Sequence, residues 1–195
     1  MINVTPGQKN IIMTFRARMA IKSLLSGGVI SHPTDTIQSI GCLPQFTDTI
    51  ERLINLKGRS INKGLILLTS NIGYALPYID VGALAPSDFD TLIESGDVPT
   101  TYILPSSDIA PYYLTGGRGT IALRVTSNQL VKYICDNTQS ALVSTSANIS
   151  SLSVAKTVLK LRVYFNDALD VILPPKESNK HPSIIIDLLT GERFR

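Results

Sequence analysis

The sequence predicts a domain of the α/β class, in which helices cover a mixed sheet. Segments with helical spacing of apolar residues alternate along the chain with short apolar runs of strand length. Polar segments follow several of these runs, and no internal repeat or low-complexity tract interrupts the pattern. This alternation is typical of a sheet that is covered by helices.

The N-terminal end is predicted to be an arm followed by a helix. Pro6 and Gly7 are expected to leave residues 1–13 as a loose arm, and residues 14–195 to form a single domain. Residues 14–26 have helical periodicity, with one apolar side formed by Phe15, Met19, Ile21, Leu24 and Leu25.

The remaining elements follow from apolar runs and capping residues. We predict strands at residues 29–32, 65–68, 101–104, 120–125, 141–144, 171–173 and 184–187. We predict helices at residues 48–56, 88–94, 129–135 and 157–165, with Thr47 or Asp48, Ser87 and Asn128 as N-caps and Gly96 after the second of them. Polar loops are expected at residues 34–41 and 174–182.

Composition narrows the class of protein. The 195 residues suffice for one domain with a real core, and the net charge of +3 permits an anionic ligand without requiring nucleic acid. The two cysteines form neither a disulfide framework nor a metal-binding spacing, which predicts a reducing, cytoplasmic setting. The sequence has no signal-peptide pattern and no apolar run of about 18 residues, so no membrane association is expected.

A cluster of cations is the first candidate site. Lys57, Arg59 and Lys63 fall within seven positions, and no acidic residue occurs between Glu51 and Asp80. Arginine presents a planar fork to carboxylate or phosphate, and lysine presents a mobile point charge. By itself the cluster is compatible with either a solvated turn or an anion site.

An arginine within an apolar run and an alternating polar segment are two further candidates for ligand binding. Arg124 lies inside the apolar run 121–125, where a half-buried guanidinium needs an anionic partner, either a ligand or an internal carboxylate. Ser144, Ser146 and Asn148 alternate after a predicted strand, so their side chains can face one way toward a polar ligand. The same residue types also form turns and helix caps.

Several common kinds of site are absent from the sequence. No Walker-type or dinucleotide-binding fingerprint is present, and the glycine-rich segment 114–119 is predicted to be a turn. Neither His32 nor His181 accompanies a nucleophile elbow, which argues against a hydrolase triad. No spacing of His, Cys, Asp or Glu predicts a metal site. The residues alone therefore predict an α/β domain that binds a polyanionic small molecule.

Taken together, residues 14–195 resemble the YrdC family of threonylcarbamoyl-AMP synthases, in particular its bacterial TsaC branch. The motifs that carry the resemblance are Pro33-Thr34-Asp35-Thr36, Lys57-Gly58-Arg59 with Lys63-Gly64-Leu65, Ile121-Ala122-Leu123-Arg124-Val125, Ser144-Thr145-Ser146-Ala147-Asn148 and Pro182-Ser183, followed by a family-like tail from Leu189 to Arg195. The sequence departs from the family at Gln38-Ser39, Ser60, Asp97-Val98-Pro99, Ser151 and the loop 176–180.

The resemblance implies a twisted, open α/β sheet around a large concave basic groove. It implies an enzyme that condenses L-threonine, bicarbonate and ATP into threonylcarbamoyl-AMP and pyrophosphate, for the t6A modification at position 37 of tRNAs that read ANN codons. ATP is then a substrate, Mg²⁺ assists, and no tightly bound cofactor is expected. The implied partners are other proteins of the t6A pathway, and direct contact with RNA or tRNA is left open.

The resemblance also implies roles for individual residues. Lys57, Arg59 and Lys63 would be catalytic residues that face the ATP phosphates. The rest of the nucleotide site would be formed by Thr120, Asn148, Thr157 and Arg195. Arg124 would pair with the threonine carboxylate, in a pocket completed by Thr34, Thr36, Ser144, Ser146 and Ser183.

Two other functions are left open. An RNA-binding or ribosome-assembly module could use the same basic groove, although the mild net charge and the scarcity of base-stacking aromatic residues disfavour it. The resemblance also extends to a carbamoyl-transfer domain of hydrogenase maturation. That domain is embedded in much longer chains, so a chain of 195 residues argues against it.

Overall fold

The computed structural model describes residues 6–94, 98–176 and 181–195. The strands in these ranges are β1 (Ile30–Pro33), β2 (Gln38–Cys42), β3 (Ile66–Thr69), β4 (Thr100–Pro105), β5 (Thr120–Val125), β6 (Leu142–Ser146), β7 (Val171–Ile172) and β8 (Ile184–Asp187). The α-helices are α1 (Pro6–Leu25), α2 (Thr47–Leu56), α3 (Pro86–Ile93), α4 (Tyr112–Thr115), α5 (Gln129–Thr138) and α6 (Val158–Phe165). Short 3-10 helices span Ile61–Lys63, Ile72–Tyr74, Leu76–Tyr78, Val81–Ala83 and Asn166–Ala168.

The described strands form one sheet in the order β7-β1-β2-β6-β3-β5-β4-β8. The pairs β7–β1, β3–β5 and β4–β8 are parallel, whereas β1–β2, β2–β6, β6–β3 and β5–β4 are antiparallel. The predicted mixed α/β sheet is therefore confirmed. No helix in the described part of the chain has the length and apolar character needed to cross a membrane.

Most predicted elements are confirmed, with ends that differ by at most three residues. Helix α4 and the 3-10 helices were not predicted, because each is a single turn or little more and carries too few residues to show a period. The predicted end of α3 at Gly96 lies outside the described residues, and so do residues 177–180 of the predicted loop 174–182. The described parts of that loop contain neither helix nor strand.

The N-terminal arm is a correction to the prediction. Helix α1 begins at Pro6, so residues 6–13 are helical, and residues 1–5 lie outside the described part of the chain. Proline interrupts a helix in its interior but is well tolerated in the first turn, where its missing N–H has no intrahelical partner. Pro6 therefore marks the start of this helix.

The buried side of α1 also differs from the prediction. Of the predicted apolar side, Leu24 is buried, but Phe15, Met19 and Leu25 are exposed. Ala17 and Ala20 are buried in their place. Ala20 and Leu24 belong to a cluster that includes residues of α5, β1 and β6. Ala20 is fully buried against this cluster, where its small side chain permits close packing of the helix.

Strand β2 is the second correction, because residues 34–41 were predicted to be a loop. The segment from Gln38 is polar, but it is buried between β1 and β6 and hydrogen-bonded on both sides. Gln38 Nε2 donates to Ser31 Oγ at 3.3 Å and to the carbonyl of Leu173 at 3.0 Å. These bonds satisfy the NH₂ group of the buried side-chain amide, whereas its Oε1 has no hydrogen-bond partner among the described residues.

The register of the central strands defines two faces of the sheet. Gly41, Ser144, Ile66 and Ala122 lie directly opposite one another on neighbouring strands, so they share one face. The next residue along each strand points to the other face, which packs on α2 through an apolar core. That core includes Ile40, Val143, Leu67, Leu123 and Leu53.

Candidate active site

A cavity of about 700 Å³ opens on the sheet face that carries Ser144, Ile66 and Ala122. The predicted site residues that line it are Thr34, Thr36, Arg59, Lys63, Thr120, Arg124, Ser144, Ser146, Asn148, Ser183 and Arg195. Lys57 and Thr157 do not line it. Thr157 is exposed and caps α6, because its Oγ1 accepts a hydrogen bond from the amide of Lys160 at 3.0 Å.

Arg124 is buried in β5 and is held by an internal carboxylate. Its Nη2 lies 2.5 Å from Asp35 Oδ2, and its Nη1 donates to Thr36 Oγ1 at 3.0 Å. The other oxygen of Asp35 accepts from Thr126 Oγ1 at 3.1 Å. Burial lowers the pKa of Arg124, and Asp35 opposes that effect. Arg124 Nε is buried without a hydrogen-bond partner among the described residues, so one donor of this guanidinium is unsatisfied.

The loop after β1 places hydroxyl groups beside Arg124. Thr34 Oγ1 accepts from the amides of Thr36 and Ile37 at 3.1 and 3.2 Å, and it donates to the carbonyl of Ile37 at 2.8 Å. The Thr34 and Thr36 hydroxyl oxygens are 3.0 Å apart. This compact turn fixes Thr36 against the guanidinium at the cavity wall.

Lys57 is buried behind the cavity, with 2% of its surface exposed. Its Nζ donates to the carbonyl of Ser146, to the carbonyl of Asn148 at 2.7 Å and to Asn148 Oδ1 at 3.2 Å. Burial, and to a lesser extent the charge of Arg59, lowers the pKa of Lys57 to about 7. In this structure, Lys57 holds the turn after β6 in place, and the structure does not bring it together with Arg59 and Lys63 at the cavity.

Asn148 lies at the cavity wall with its side-chain amide already engaged. Its Oδ1 accepts from Ser146 Oγ at 2.6 Å as well as from Lys57. Its Nδ2 donates to the carbonyls of Ile149 and Leu152 at 3.0 and 2.8 Å. The alternating polar segment therefore begins in β6, with Ser144 and Ser146, and continues into a hydrogen-bonded turn at Asn148. All three residues line the cavity.

Three cations occupy another part of the wall. Arg59 Nη2 donates to the carbonyls of Gly64 at 2.9 Å and Lys63 at 3.3 Å, and the Lys63 side chain is exposed. The third cation, Arg118, was not identified from the sequence, although an arginine among glycines next to a strand was a usable signal. Its Nη1 donates to the carbonyl of Asn62 at 2.8 Å. Among the described residues, these three cations form no ion pair with a carboxylate.

The C-terminal tail closes one side of the cavity. Arg195 Nε and Nη2 both donate to the carbonyl of Ser183, at 3.0 and 2.8 Å. The Ser183 hydroxyl shares a hydrogen bond of 2.7 Å with Thr101 Oγ1. Phe194, for which the sequence suggested no role, also lines the cavity and is 57% exposed. The tail thus adds an aromatic ring and a guanidinium to the walls.

Comparison with solved structures identifies the kind of fold. The crystal structure of P. abyssi Sua5 complexed with L-threonine superposes with a TM-score of 0.81 at 22% identity, covering 92% of this chain and 52% of that chain. At this identity the similarity shows a shared fold. The mixed open sheet is therefore the Sua5 type of α/β fold.

Sequence comparison identifies the family. The threonylcarbamoyl-AMP synthase of Pasteurella multocida (strain Pm70) is 35% identical over 175 residues, which cover 90% of this chain and 96% of that protein. The synthase of Shigella boydii serotype 4 is 38% identical over 176 residues, which cover 90% and 93%. The family model of Sua5, YciO and YrdC, described as telomere recombination, matches residues 22–195. The chain belongs to this family, as its motifs predicted.

Proposed function

We propose that this chain is a threonylcarbamoyl-AMP synthase, which joins L-threonine, bicarbonate and ATP into threonylcarbamoyl-AMP and pyrophosphate. Relatives of that name that match 90% of the chain support the proposal. The observation that carries it is the distribution of charge in one cavity. One wall holds the buried guanidinium of Arg124, and another holds Arg59 and Lys63 without carboxylate partners among the described residues.

The amino-acid end of the cavity is proposed at Arg124. A guanidinium binds a carboxylate through short, charge-assisted hydrogen bonds, and Arg124 Nε is an unsatisfied donor. Hydroxyl groups complete this part of the wall and can hydrogen-bond the threonine side chain and amine. They belong to Thr34, Thr36, Ser144, Ser146 and Ser183.

The nucleotide end is proposed at Arg59 and Lys63, whose charges would face the phosphates. Thr120, Asn148 and Arg195 line the cavity with them and would contact the rest of the nucleotide. The family resemblance also gave nucleotide roles to Lys57 and Thr157. For these two residues we propose indirect roles, because Lys57 holds the turn with Asn148 and Thr157 caps α6.

The chemistry requires positioning and charge stabilisation more than covalent participation by the protein. The threonine amine attacks bicarbonate, and loss of water gives a carbamate. A carbamate oxygen then attacks the α-phosphorus of ATP, and the bond to the β-phosphate bridging oxygen breaks to release pyrophosphate. Cations near the phosphates offset the negative charge that develops on the leaving group, and fixed orientation lowers the entropic part of the barrier.

We propose that Mg²⁺ reaches the site as part of the ATP complex. Mg²⁺ in nucleotide sites is commonly held by substrate phosphates and waters with one or two carboxylates. In the described residues, no group of three or more His, Cys, Asp or Glu side chains could hold a metal ion. These residues therefore do not fit a metal centre made by the protein alone.

The product would be transferred to other proteins of the t6A pathway for modification of position 37 in tRNAs that read ANN codons. An activated carbamoyl phosphoric anhydride reacts with water, so prompt transfer to an acceptor is expected. We place this step in the cytoplasm, where ATP and tRNA occur together.

The proposal is tested by measuring pyrophosphate release with ATP, Mg²⁺ and bicarbonate, with and without L-threonine. We expect release only when threonine is present. Arg124→Gln should raise the KM for threonine by about tenfold or more, because one charge-assisted carboxylate pair is lost. Arg18→Gln, an exposed position on α1, is the matched control and should leave KM unchanged. Threonine-independent release, or none at all, would contradict the proposal.

A further inference from the structure

Two loops of the cavity wall form one hydrogen-bonded unit. We call residues 57–64 the basic loop and residues 114–119 the glycine loop. The amide of Leu65, directly after the basic loop, donates to the carbonyl of Leu114 at 2.9 Å. Arg118 Nη1 donates to the carbonyl of Asn62 at 2.8 Å, and the hydroxyl of Tyr112 donates to Asn62 Oδ1 at 3.1 Å. The glycine loop is therefore attached to the loop that carries the predicted phosphate-facing cations.

Gly116 allows the two loops to approach closely. It ends α4 with a φ of 69°, in the left-handed region that disfavours side chains. A Cβ at this position would lie 2.6 Å from the carbonyl oxygen of Asn62 and 2.7 Å from the amide nitrogen of Gly64. Both of these are backbone atoms that do not move aside easily. The glycine loop thus has the composition needed to place Arg118 beside the basic loop.

The docking of the loops brings two guanidinium groups together. Arg118 is close enough to Arg59 for its charge to lower the pKa of Arg59, in addition to the larger effect of burial. Both side chains line the cavity, and Arg59 Nε is buried without a hydrogen-bond partner among the described residues. Among those residues neither guanidinium pairs with a carboxylate. Like charges held together in this way repel one another unless an anion lies between them.

We propose that Arg118 is a polyphosphate-binding residue that acts with Arg59, so that two planar forks hold the triphosphate of ATP and the departing pyrophosphate. This inference rests on the proposed function for the identity of the nucleotide. Independently of that identity, the two arginines form a site for linear polyphosphate between the basic loop and the glycine loop. Two guanidinium forks match successive phosphate groups better than isolated point charges do.

The test is calorimetric titration of inorganic pyrophosphate, and separately of ATP, into the full chain. We expect Arg118→Gln to weaken pyrophosphate binding by about tenfold or more, as for loss of one charge-assisted contact. Arg118→Lys keeps the charge and should lose less affinity for pyrophosphate than Arg118→Gln does. The matched control is Arg162→Gln, an exposed arginine of α6 that does not line the cavity, and it should bind as the wild type does.

A second variant separates direct binding from loop docking. Tyr112→Phe removes one hydrogen bond between α4, which leads into the glycine loop, and the basic loop. It changes no charge, so it should retain most of the affinity for pyrophosphate. The inference is overturned if Arg118→Gln binds pyrophosphate as well as the wild type, if Tyr112→Phe loses as much affinity as Arg118→Gln, or if the wild type binds no pyrophosphate.

These titrations contain no threonine, so the inference and the proposed function fail separately. Threonine-dependent turnover with Arg118-independent pyrophosphate affinity would overturn only the inference. Arg118-dependent pyrophosphate affinity in a protein that makes no threonine-dependent product would overturn only the proposed function.

Discussion

Two neighbouring cations of one short motif have opposite surroundings. Lys57 is enclosed by three oxygen atoms of the turn after β6, whereas Arg59 reaches the cavity wall. The spacing of the motif suggested a common role for both. The sequence does not show the path of the chain after α2. This path determines that Lys57 points into the protein and Arg59 points to the cavity.

The different surroundings predict different effects on stability. Lys57→Met should lower the free energy of unfolding by about 2–4 kcal/mol, because buried oxygen atoms lose their donor. Arg59→Met should lower the free energy of unfolding by half of that amount or less, because the Arg59 side chain is only partly buried. Urea denaturation at pH 7.5 measures both values. Equal costs for the two variants would be inconsistent with the assignment of Lys57 to a structural position.

His32 gives a prediction about pH. It is fully buried, and neither ring nitrogen makes a hydrogen bond of good geometry among the described residues. Burial lowers its pKa to about 4, and a weaker interaction with the backbone of Pro33 opposes this effect. In the unfolded chain the pKa is 6.5, so between pH 6.5 and 4 the unfolded state binds more protons than the folded state. Stability contributed by neutral His32 is present above pH 6.5 and is lost as the pH falls.

The wild type should therefore lose about 3 kcal/mol more stability than His32→Asn between pH 6.5 and 4. Denaturation curves at several pH values measure this difference. His181→Gln, which removes the exposed histidine, should follow the wild type. If the stability of the wild type and of His32→Asn changed in parallel with pH, His32 would not contribute to the pH dependence of stability.

At the scale of secondary-structure elements, β2 shows where pattern-based prediction reaches its limit. Strand signals depend on apolar and β-branched residues, but β2 begins with Gln38 and Ser39. These residues are buried between β1 and β6, where strand pairing satisfies their backbone and the carbonyl of Leu173 accepts a hydrogen bond from Gln38 Nε2. Two of these partners, β6 and Leu173, lie more than a hundred residues away and leave no trace in the local sequence. The strand at residues 120–125, in contrast, was predicted from its own apolar run.

The position of β2 predicts the effect of a small change. Gly41 faces the carbonyl of Val143 on β6, and a Cβ at this position would overlap with that oxygen atom. Gly41→Ala should therefore cost about 1–3 kcal/mol, as expected for overpacking against backbone. At Gly119 a Cβ would meet no atom within 4 Å, so Gly119→Ala is the control and should stay within about 0.5 kcal/mol. Similar stabilities for both variants would show that β2 and β6 can separate at no cost.

At the scale of the whole molecule, the sheet order brings distant segments into one cavity. The loop after β1, the basic loop, β5, the turn after β6 and the C-terminal tail all contribute to the wall. The motifs and their roles came from family resemblance, because residue spacing alone gave only a domain with a polyanionic ligand. Eleven of the predicted site residues line the cavity. Arg118 and Phe194 also line it but were not predicted, because their positions depend on how the chain folds back across the sheet.

The central claim is that this cavity joins threonine and bicarbonate to the adenylate of ATP. The most direct measurement is mass spectrometry of the product formed from ¹³C-bicarbonate, L-threonine, ATP and Mg²⁺. We expect threonylcarbamoyl-AMP that carries one ¹³C atom, formed in amounts equal to the pyrophosphate released and strongly reduced in Arg124→Gln. Pyrophosphate or ADP without a labelled adenylate would contradict the account.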